Sequence, residues 1–289
     1  MSSRLVCGIA YLVLSGITAL AQSLPAPPGP DAPRFEVASV KRNMTDPTKG
    51  AQGPLGVEPG RFISIGWPLR YVITMAYGAR SFQIVGAPAW AEKDFFDINA
   101  KATENMPAAE ILSMVRALLA DRFKLRAHLE KREMPIYALV VAREGRLGPG
   151  MKPTTENCAQ LHADGKALRA GPGEFSVCAS RLTASPVNGT LVLEMAEGGM
   201  SVPSFIKNVS GYVDRLVIDR TGLTGDFDFL LQFQPPGGLS ATSANGVPSL
   251  DGAPPFLEAV QRQLGLRLQS ERALVDVLVI DSVEPPTPD

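Results

Sequence analysis

Histidine is scarce in this chain: His128 and His162 are the only two in 289 residues. There is no His-Glu-x-x-His zinc motif, no Gly-x-Ser-x-Gly elbow and no glycine-rich phosphate loop ending in Lys-Ser or Lys-Thr. These absences remove the best-marked metallohydrolase, serine hydrolase and nucleotide-binding chemistries. His128 falls in a strand-like stretch beside Arg126 and Glu130, with no serine or cysteine nucleophile paired to it, so it reads as a surface histidine. His162 lies in a polar stretch between two cysteines and reads as solvated. An excess of one charge is missing too. The formal net charge is −1, which offers no field for nucleic acid or anionic lipid. General disorder is excluded by 45% hydrophobic and 20% charged residues, a composition that suits one large or two small cores.

Residues 1–21 read as a cleavable signal peptide: Met-Ser-Ser-Arg, an apolar run from Leu5 to Leu20, and Ala19-Leu20-Ala21 before Gln22. An uncleaved anchor is the alternative. The run of about sixteen residues falls short of the roughly 20 needed to span, and Gly8, Ser15, Gly16 and Thr18 weaken it further. Residues 22–34, with prolines from Pro25 to Pro33, form an extended mature N-terminus, and no transmembrane segment is expected after cleavage. Cys7 leaves with the leader. Cys158 and Cys178 remain, and an even pair in an oxidising compartment predicts a disulfide. Closing a loop of about 20 residues contributes roughly 3 kcal/mol in the chain-entropy model. A metal site is disfavoured because these cysteines and His162 make only three ligands without close pairing. No metal and no cofactor are expected.

Apolar periodicity divides the rest. Phe35–Lys41, Arg61–Ile65, Phe82–Val85, Phe95–Ala100, Lys124–Glu130 and Ile136–Ala142 read as strands, with 82–85 and 95–100 paired. Leu69, Val72, Ile73 and Ala76 mark an amphipathic helix that Gly78 can terminate, and Ile111, Met114, Val115, Leu118 and Leu119 mark another. The pattern recurs. At the offset of 133 that takes Leu69 to Val202, Val72, Ile73, Ala76, Gly78 and Val85 fall on Phe205, Ile206, Val209, Gly211 and Ile218. Phe96-Asp97 matches Phe227-Asp228 at an offset of 131, and Leu125 matches Leu266 at an offset of 141. The expected fold is α+β, an internally duplicated unit of helix, β-hairpin, helix, β-hairpin with helices packed on antiparallel sheets. The first unit covers residues 35–142, a loop-rich linker with the cysteine pair 143–188, the second unit 189–284 and a tail 285–289.

Candidate chemistry is thin. Ser204 and Lys207 fit Ser-x-x-Lys, and Arg220-Thr221-Gly222 follows too closely to build the site that motif serves in penicillin-recognising enzymes. Asp94, Asp97, Asp219, Asp226 and Asp228 flank the predicted hairpins, where turn chemistry explains them, although paired carboxylates can also act as acid and base or bind calcium. Trp67, Tyr71, Tyr77, Phe82 and Trp90 gather aromatic surface in the first unit, where core packing is the simpler reading, and Trp90, on a turn after Pro88, is the exception placed to stay partly exposed and face a ligand. Trp90, Asp97 and Asp228 are therefore the candidate ligand-binding residues, with Cys158 and Cys178 as the disulfide.

Phe35-Glu36-Val37-Ala38-Ser39-Val40-Lys41, Ala76-Tyr77-Gly78, Gly86-Ala87-Pro88-Ala89-Trp90, Leu118-Leu119-Ala120-Asp121-Arg122-Phe123-Lys124-Leu125 and Asp219-Arg220-Thr221-Gly222-Leu223-Thr224-Gly225 together resemble a large family of uncharacterised exported proteins expanded in soil Acidobacteria. The resemblance covers nearly the whole mature chain. It implies a bacterial source and a place outside the cytoplasm, assigns no reaction, and carries over no site residue. Some members of that family are joined to membrane peptidases of the antibiotic-sensor type, which by association implies sensing or binding. The function expected is a non-enzymatic extracytoplasmic binding or protein-interaction module, periplasmic or secreted, whose partner is an envelope protein or a small ligand and not nucleic acid. The alternatives are a hydrolase acting on a cell-wall or polymeric substrate through carboxylates, and a structural envelope component.

Overall fold

Burial alternates strictly along Arg61–Pro68, so Phe62, Ser64, Gly66 and Pro68 face inward, as a half-buried strand requires. The computed structural model describes residues 23–44, 53–168, 171–187, 190–236 and 253–286, and the expected signal peptide with its cleavage point lies outside them. In chain order the elements are β1 (Val37–Asn43), β2 (Leu55–Glu58), β3 (Arg61–Pro68), α1 (Leu69–Tyr77), β4 (Ile84–Val85), α2 (Trp90–Lys93), β5 (Phe95–Lys101), α3 (Ala108–Arg122) and β6 (Arg126–Val141). Then follow β7 (Met151–Pro153), α4 (Cys158–Ala163), β8 (Ser180–Val187), β9 (Thr190–Ser201), α5 (Val202–Val209), β10 (Leu216–Asp219), β11 (Asp226–Phe233), α6 (Phe256–Ala259) and β12 (Leu266–Ser282). The chain is α+β. No helix among the described residues is long and apolar enough to cross a membrane.

The helices bury the faces their periodicity predicts: Leu69, Val72, Ile73 and Ala76 in α1, and Ile111, Met114, Val115, Leu118 and Leu119 in α3. Gly78 ends α1 in the left-handed conformation at φ 59, its N–H donating to Met75 O, so the expected glycine stop is observed. In α5 the Ser201 hydroxyl caps the first turn, Pro203 occupies a position that needs no donor, and Val202, Phe205, Ile206 and Val209 face the core.

The described strands form three four-stranded sheets, ordered β1-β5-β3-β2, β10-β6-β12-β4 and β7-β11-β9-β8. From β3 to β6 the elements run strand, helix, strand, short helix, strand, helix, strand, and from β9 to β12 they run strand, helix, strand, strand, helix, strand. The middle sheet joins the halves. β6 and β12 lie antiparallel from Arg126 opposite Ser282 to Val141 opposite Leu266, while β10 of the second half adds parallel to β6 and β4 of the first adds parallel to β12. Leu278 and Ile280 of β12 are thereby built into the core around Phe62, Phe96, Ile111 and Leu119. Leu139 of β6 belongs in the same way to the core around Phe205, Phe229, Phe233 and Phe256.

Three local expectations change. The strands placed at 124–130 and 136–142 are one continuous strand, because Pro135 falls just before the stretch that β10 pairs, where the outer edge of β6 is still open and a missing N–H is tolerated. The stretches 82–85 and 95–100 do not pair with each other, since both edges of β5 are taken by β1 and β3 and β4 turns away to β12. Gly86 makes that turn at φ 80, against Ile280 O, where a Cβ would sit at 2.6 Å. Finally, the stretch 143–188 contributes β7 and β8 to the third sheet and is not simply a linker.

Because each core borrows from the other half, the halves should unfold together. Leu278→Ala deletes a fully buried side chain and should cost about 2–5 kcal/mol. Trp67 and Trp90, the chain's two tryptophans, report on the first half. Their fluorescence transition in urea should move with the far-UV circular dichroism transition, and movement of one alone would contradict a shared core.

Candidate functional site

Asp97 and Asp228 perform the same local task in different sheets. Asp97 Oδ1 accepts hydrogen bonds from the Gly66 N–H and from Asn43 Nδ2, each at 2.8 Å. Gly66 has φ 65 and sits where the β3–β5 register shifts between Ser64 and Trp67. Asp228 Oδ1 accepts the Gly199 N–H at 3.0 Å and the Thr154 hydroxyl. Gly199 has φ 67, again at a register shift, here between β9 and β11. Each carboxylate thus satisfies a main-chain donor that a glycine bulge has taken out of its ladder. Asp97 lies in the first sheet and Asp228 in the third. Asp219 serves its turn as expected, its Oδ1 accepting from the Thr221 N–H and hydroxyl. Trp90 is half-buried with its ring edge-on to Phe96 at 6.2 Å, packed against the first core, and Tyr77 is wholly buried.

Asp97 also borders a groove of about 710 Å³ on the open face of the first sheet. Alternation puts Val37, Ser39 and Lys41 of β1 on this face, with Asp97, Asn99 and Lys101 of β5 and Arg61 of β3. The register lines up Val37, Lys101 and Arg61 across three strands and sets Lys41 opposite Asp97. Arg61 donates to Asn99 Oδ1 at 3.2 Å, whereas Lys41 and Lys101 make no ion pair among the described residues. Three cations therefore face solvent around one carboxylate whose Oδ1 is already engaged.

The matching face of the third sheet is covered. Lys152 of β7 stands opposite Asp228 in the ladder, with its ammonium 3.8 Å from Asp228 Oδ2 and 4.6 Å over the Phe175 ring. Cys158 and Cys178 are joined by a disulfide, and the segment it closes lies against the glycine bulge. A Cβ on Gly199 would sit 2.1 Å from Cys158 Sγ, and one on Gly198 2.2 Å from Ser176 O. Glycine is required at both positions by contact alone.

A family described as a protein of unknown function, DUF3738, matches residues 70–283. The chain belongs to this family. Neither the curated proteins nor the solved structures contain a match. The span matched by the DUF3738 family opens within α1 and closes just past β12, so it includes the whole middle sheet, while β1, β2 and β3 precede it.

Three of the ionisable groups with shifted pKa bear on candidate acid–base chemistry. His128 has both ring nitrogens committed, Nδ1 to Asp281 at 2.9 Å and Nε2 to Glu130 at 3.1 Å, and these hydrogen bonds hold its pKa above the usual value. Neither nitrogen is free to act as a base. For Glu194, burial works against ionisation, but hydrogen bonds from Gln232, Arg181 and the Gly173 N–H together bring its pKa below the usual value. Glu197 is the opposite case, and sequence patterning did not mark it. It is 4% exposed, burial pushes its pKa up, bonds from Ser180 and Asn208 offset this only in part, and Oε2 has no hydrogen-bond partner.

A raised carboxyl pKa means that the folded state holds the Glu197 proton more tightly than the unfolded state does. This stability is present below the ordinary glutamate pKa of about 4.3 and is lost as pH rises through the higher folded value. Glu197→Gln should remove that slope and make the protein more stable than the parent at neutral pH, as measured by urea unfolding across pH. A substitution that is destabilising at neutral pH would show that the carboxylate is needed there in its charged form.

Proposed function

We propose that the chain is an exported, non-enzymatic binding module made of two copies of one α+β unit, and that it holds an extended anionic ligand on the open face of its first sheet. The carrying observation is the asymmetry between two faces of like construction. The face around Asp228 is closed by the disulfide segment, and the one around Asp97 is open, with Lys41, Arg61 and Lys101 displayed along it. A shallow cationic strip with hydrogen-bonding Ser39 and Asn99 between its charges suits a repeating anion such as an acidic polysaccharide.

Several pairings support the duplication. At the offset of 133 that takes Leu69 to Val202, Gly66 falls on Gly199 and Arg80 on Val213. Arg80 Nη2 donates to Val213 O at 3.0 Å, the contact expected where a residue meets its own counterpart on a twofold axis. At the offset of 141 that takes Leu125 to Leu266, Glu133 falls on Leu274, its partner in the β6–β12 ladder. Lys124 and Gly265, related by the same offset, both have left-handed φ, 50 and 70.

Export is supported by the leader pattern, by the disulfide and by the anchoring of the chain just after the expected cleavage point. The Leu24 side chain is buried in the first core, and its N–H donates to Asp276 Oδ2 at 3.1 Å. Asp276 is itself paired with Lys131 at 2.7 Å. A mature chain beginning at Gln22 would therefore keep a fixed N-terminus.

Binding of polygalacturonate to the mature, disulfide-intact protein, with neutral dextran as control, tests this reading by calorimetry. Polygalacturonate should bind and weaken as salt rises, and the Lys41→Ala/Lys101→Ala double variant should lose at least about tenfold in affinity, on the scale of charge-assisted contacts. Equal binding of dextran, or an unaffected double variant, would overturn it.

A further inference from the structure

A second cavity of about 410 Å³ lies where the halves meet, lined by Tyr77 and Arg80 from the first and by Ile206, Lys207, Arg215 and Val217 from the second, with Leu24 also on its wall. Its size falls in the range of small-molecule sites, roughly 300–1,000 Å³, and such sites favour junctions between structural units. Among the described residues, no aspartate or glutamate lines it.

The three cations are placed by separate devices. Arg80 is fixed through its main-chain N–H, which donates to Gln83 Oε1 at 2.9 Å, and through the guanidinium bond to Val213 O. Burial strips water from that guanidinium and lowers its pKa, a cost that a bound anion would offset. Arg215 lies 5.0 Å over the Tyr137 ring and donates from Nη1 to Ser270 Oγ. Its nearest carboxylate, Asp214 at 3.7 Å from Nε, is 74% exposed. Lys207 projects from the last turn of α5 and makes no ion pair among the described residues. Arg80, Arg215 and Lys207 all border this cleft, and like charges gathered around one cleft raise the local concentration of anions. The wall formed by Leu24, Ile206 and Val217, with the Tyr77 ring, is apolar.

We infer that this cleft is a second binding site, for a small organic anion bearing one carboxylate or phosphate on an apolar body. It is distinct from the groove on the first sheet and stands whether or not the groove binds a polymer.

Isothermal titration calorimetry of the mature protein with benzoate, phenyl phosphate and the neutral isostere benzyl alcohol tests it. At least one of the two anions should bind with one site per chain, and benzyl alcohol should not. The stronger of the two anions identifies the headgroup. Lys207→Ala should weaken that anion about tenfold, the scale of one charge-assisted hydrogen bond, and Lys207→Glu should abolish its binding. Lys207 is exposed, so both variants should keep the parent circular dichroism spectrum. Arg262→Ala, which removes another exposed cation, one that pairs with Glu258 and lies away from this cleft, should leave binding unchanged. Saturating polygalacturonate should leave the anion's affinity unchanged. The inference is overturned if neither anion binds, if benzyl alcohol binds as well as they do, if Lys207→Glu binds like the parent, or if polygalacturonate displaces the anion.

Discussion

The antiparallel ribbon of β6 and β12 is the constraint on which the rest of the molecule depends. Its two strands run 16 and 17 residues, far longer than the five or six usual for a strand, and neither belongs to one half alone. Exchange of β4 and β10 onto its outer edges means that each half is completed by the other. The face carrying Ile136, Ala138, Val275 and Val277 exists only when the two strands are in register. A one-residue slip would send these side chains to the opposite face together with every other residue of the strand, so hydrophobic burial specifies the pairing strongly.

That rigid centre leaves two peripheral sheets free to differ. Both carry a glycine bulge held by an aspartate, and they diverge in what lies on top. On the third sheet the disulfide segment approaches so closely that Gly198 and Gly199 have no room for a side chain. On the first sheet the same architecture ends in solvent, with Lys41 and Lys101 unpaired by any described carboxylate. The two sheets thus share a bulge-and-aspartate frame and differ in what covers it. The frame itself does not depend on that cover, because Asp97 and Asp228 satisfy their glycine N–H groups in both sheets.

Much of this fold was legible from pattern. Helices α1, α3 and α5 bury the residues that their spacing selects, Gly78 stops α1, and the disulfide joins Cys158 to Cys178. The correspondence of Asp97 with Asp228 was also visible, but its meaning was not. A carboxylate beside a predicted hairpin has the same local appearance whether it faces a ligand or caps a main-chain donor, and only the position of Gly66 or Gly199 across the ladder tells them apart. Strand partners were the least legible feature. Ile84-Val85 carries a β pattern that says nothing about which edge it will join, and its partner Leu278 lies nearly two hundred residues away. Glu197 escaped notice for a related reason: a glutamate in a largely apolar strand is unremarkable until packing shows an oxygen with no hydrogen-bond partner.

Native-state hydrogen exchange tests the central claim most directly, because it measures the free energy of opening amide by amide. If the ribbon binds the halves into one cooperative unit, amides of β6, β12, β4 and β10 should share the highest protection and exchange only through global unfolding, with equal dependence on denaturant. Exchange of β9, α5 and β11 as a separate unit at distinctly lower free energy, with β6 and β12 still protected, would contradict the claim and show that the second half opens without the first.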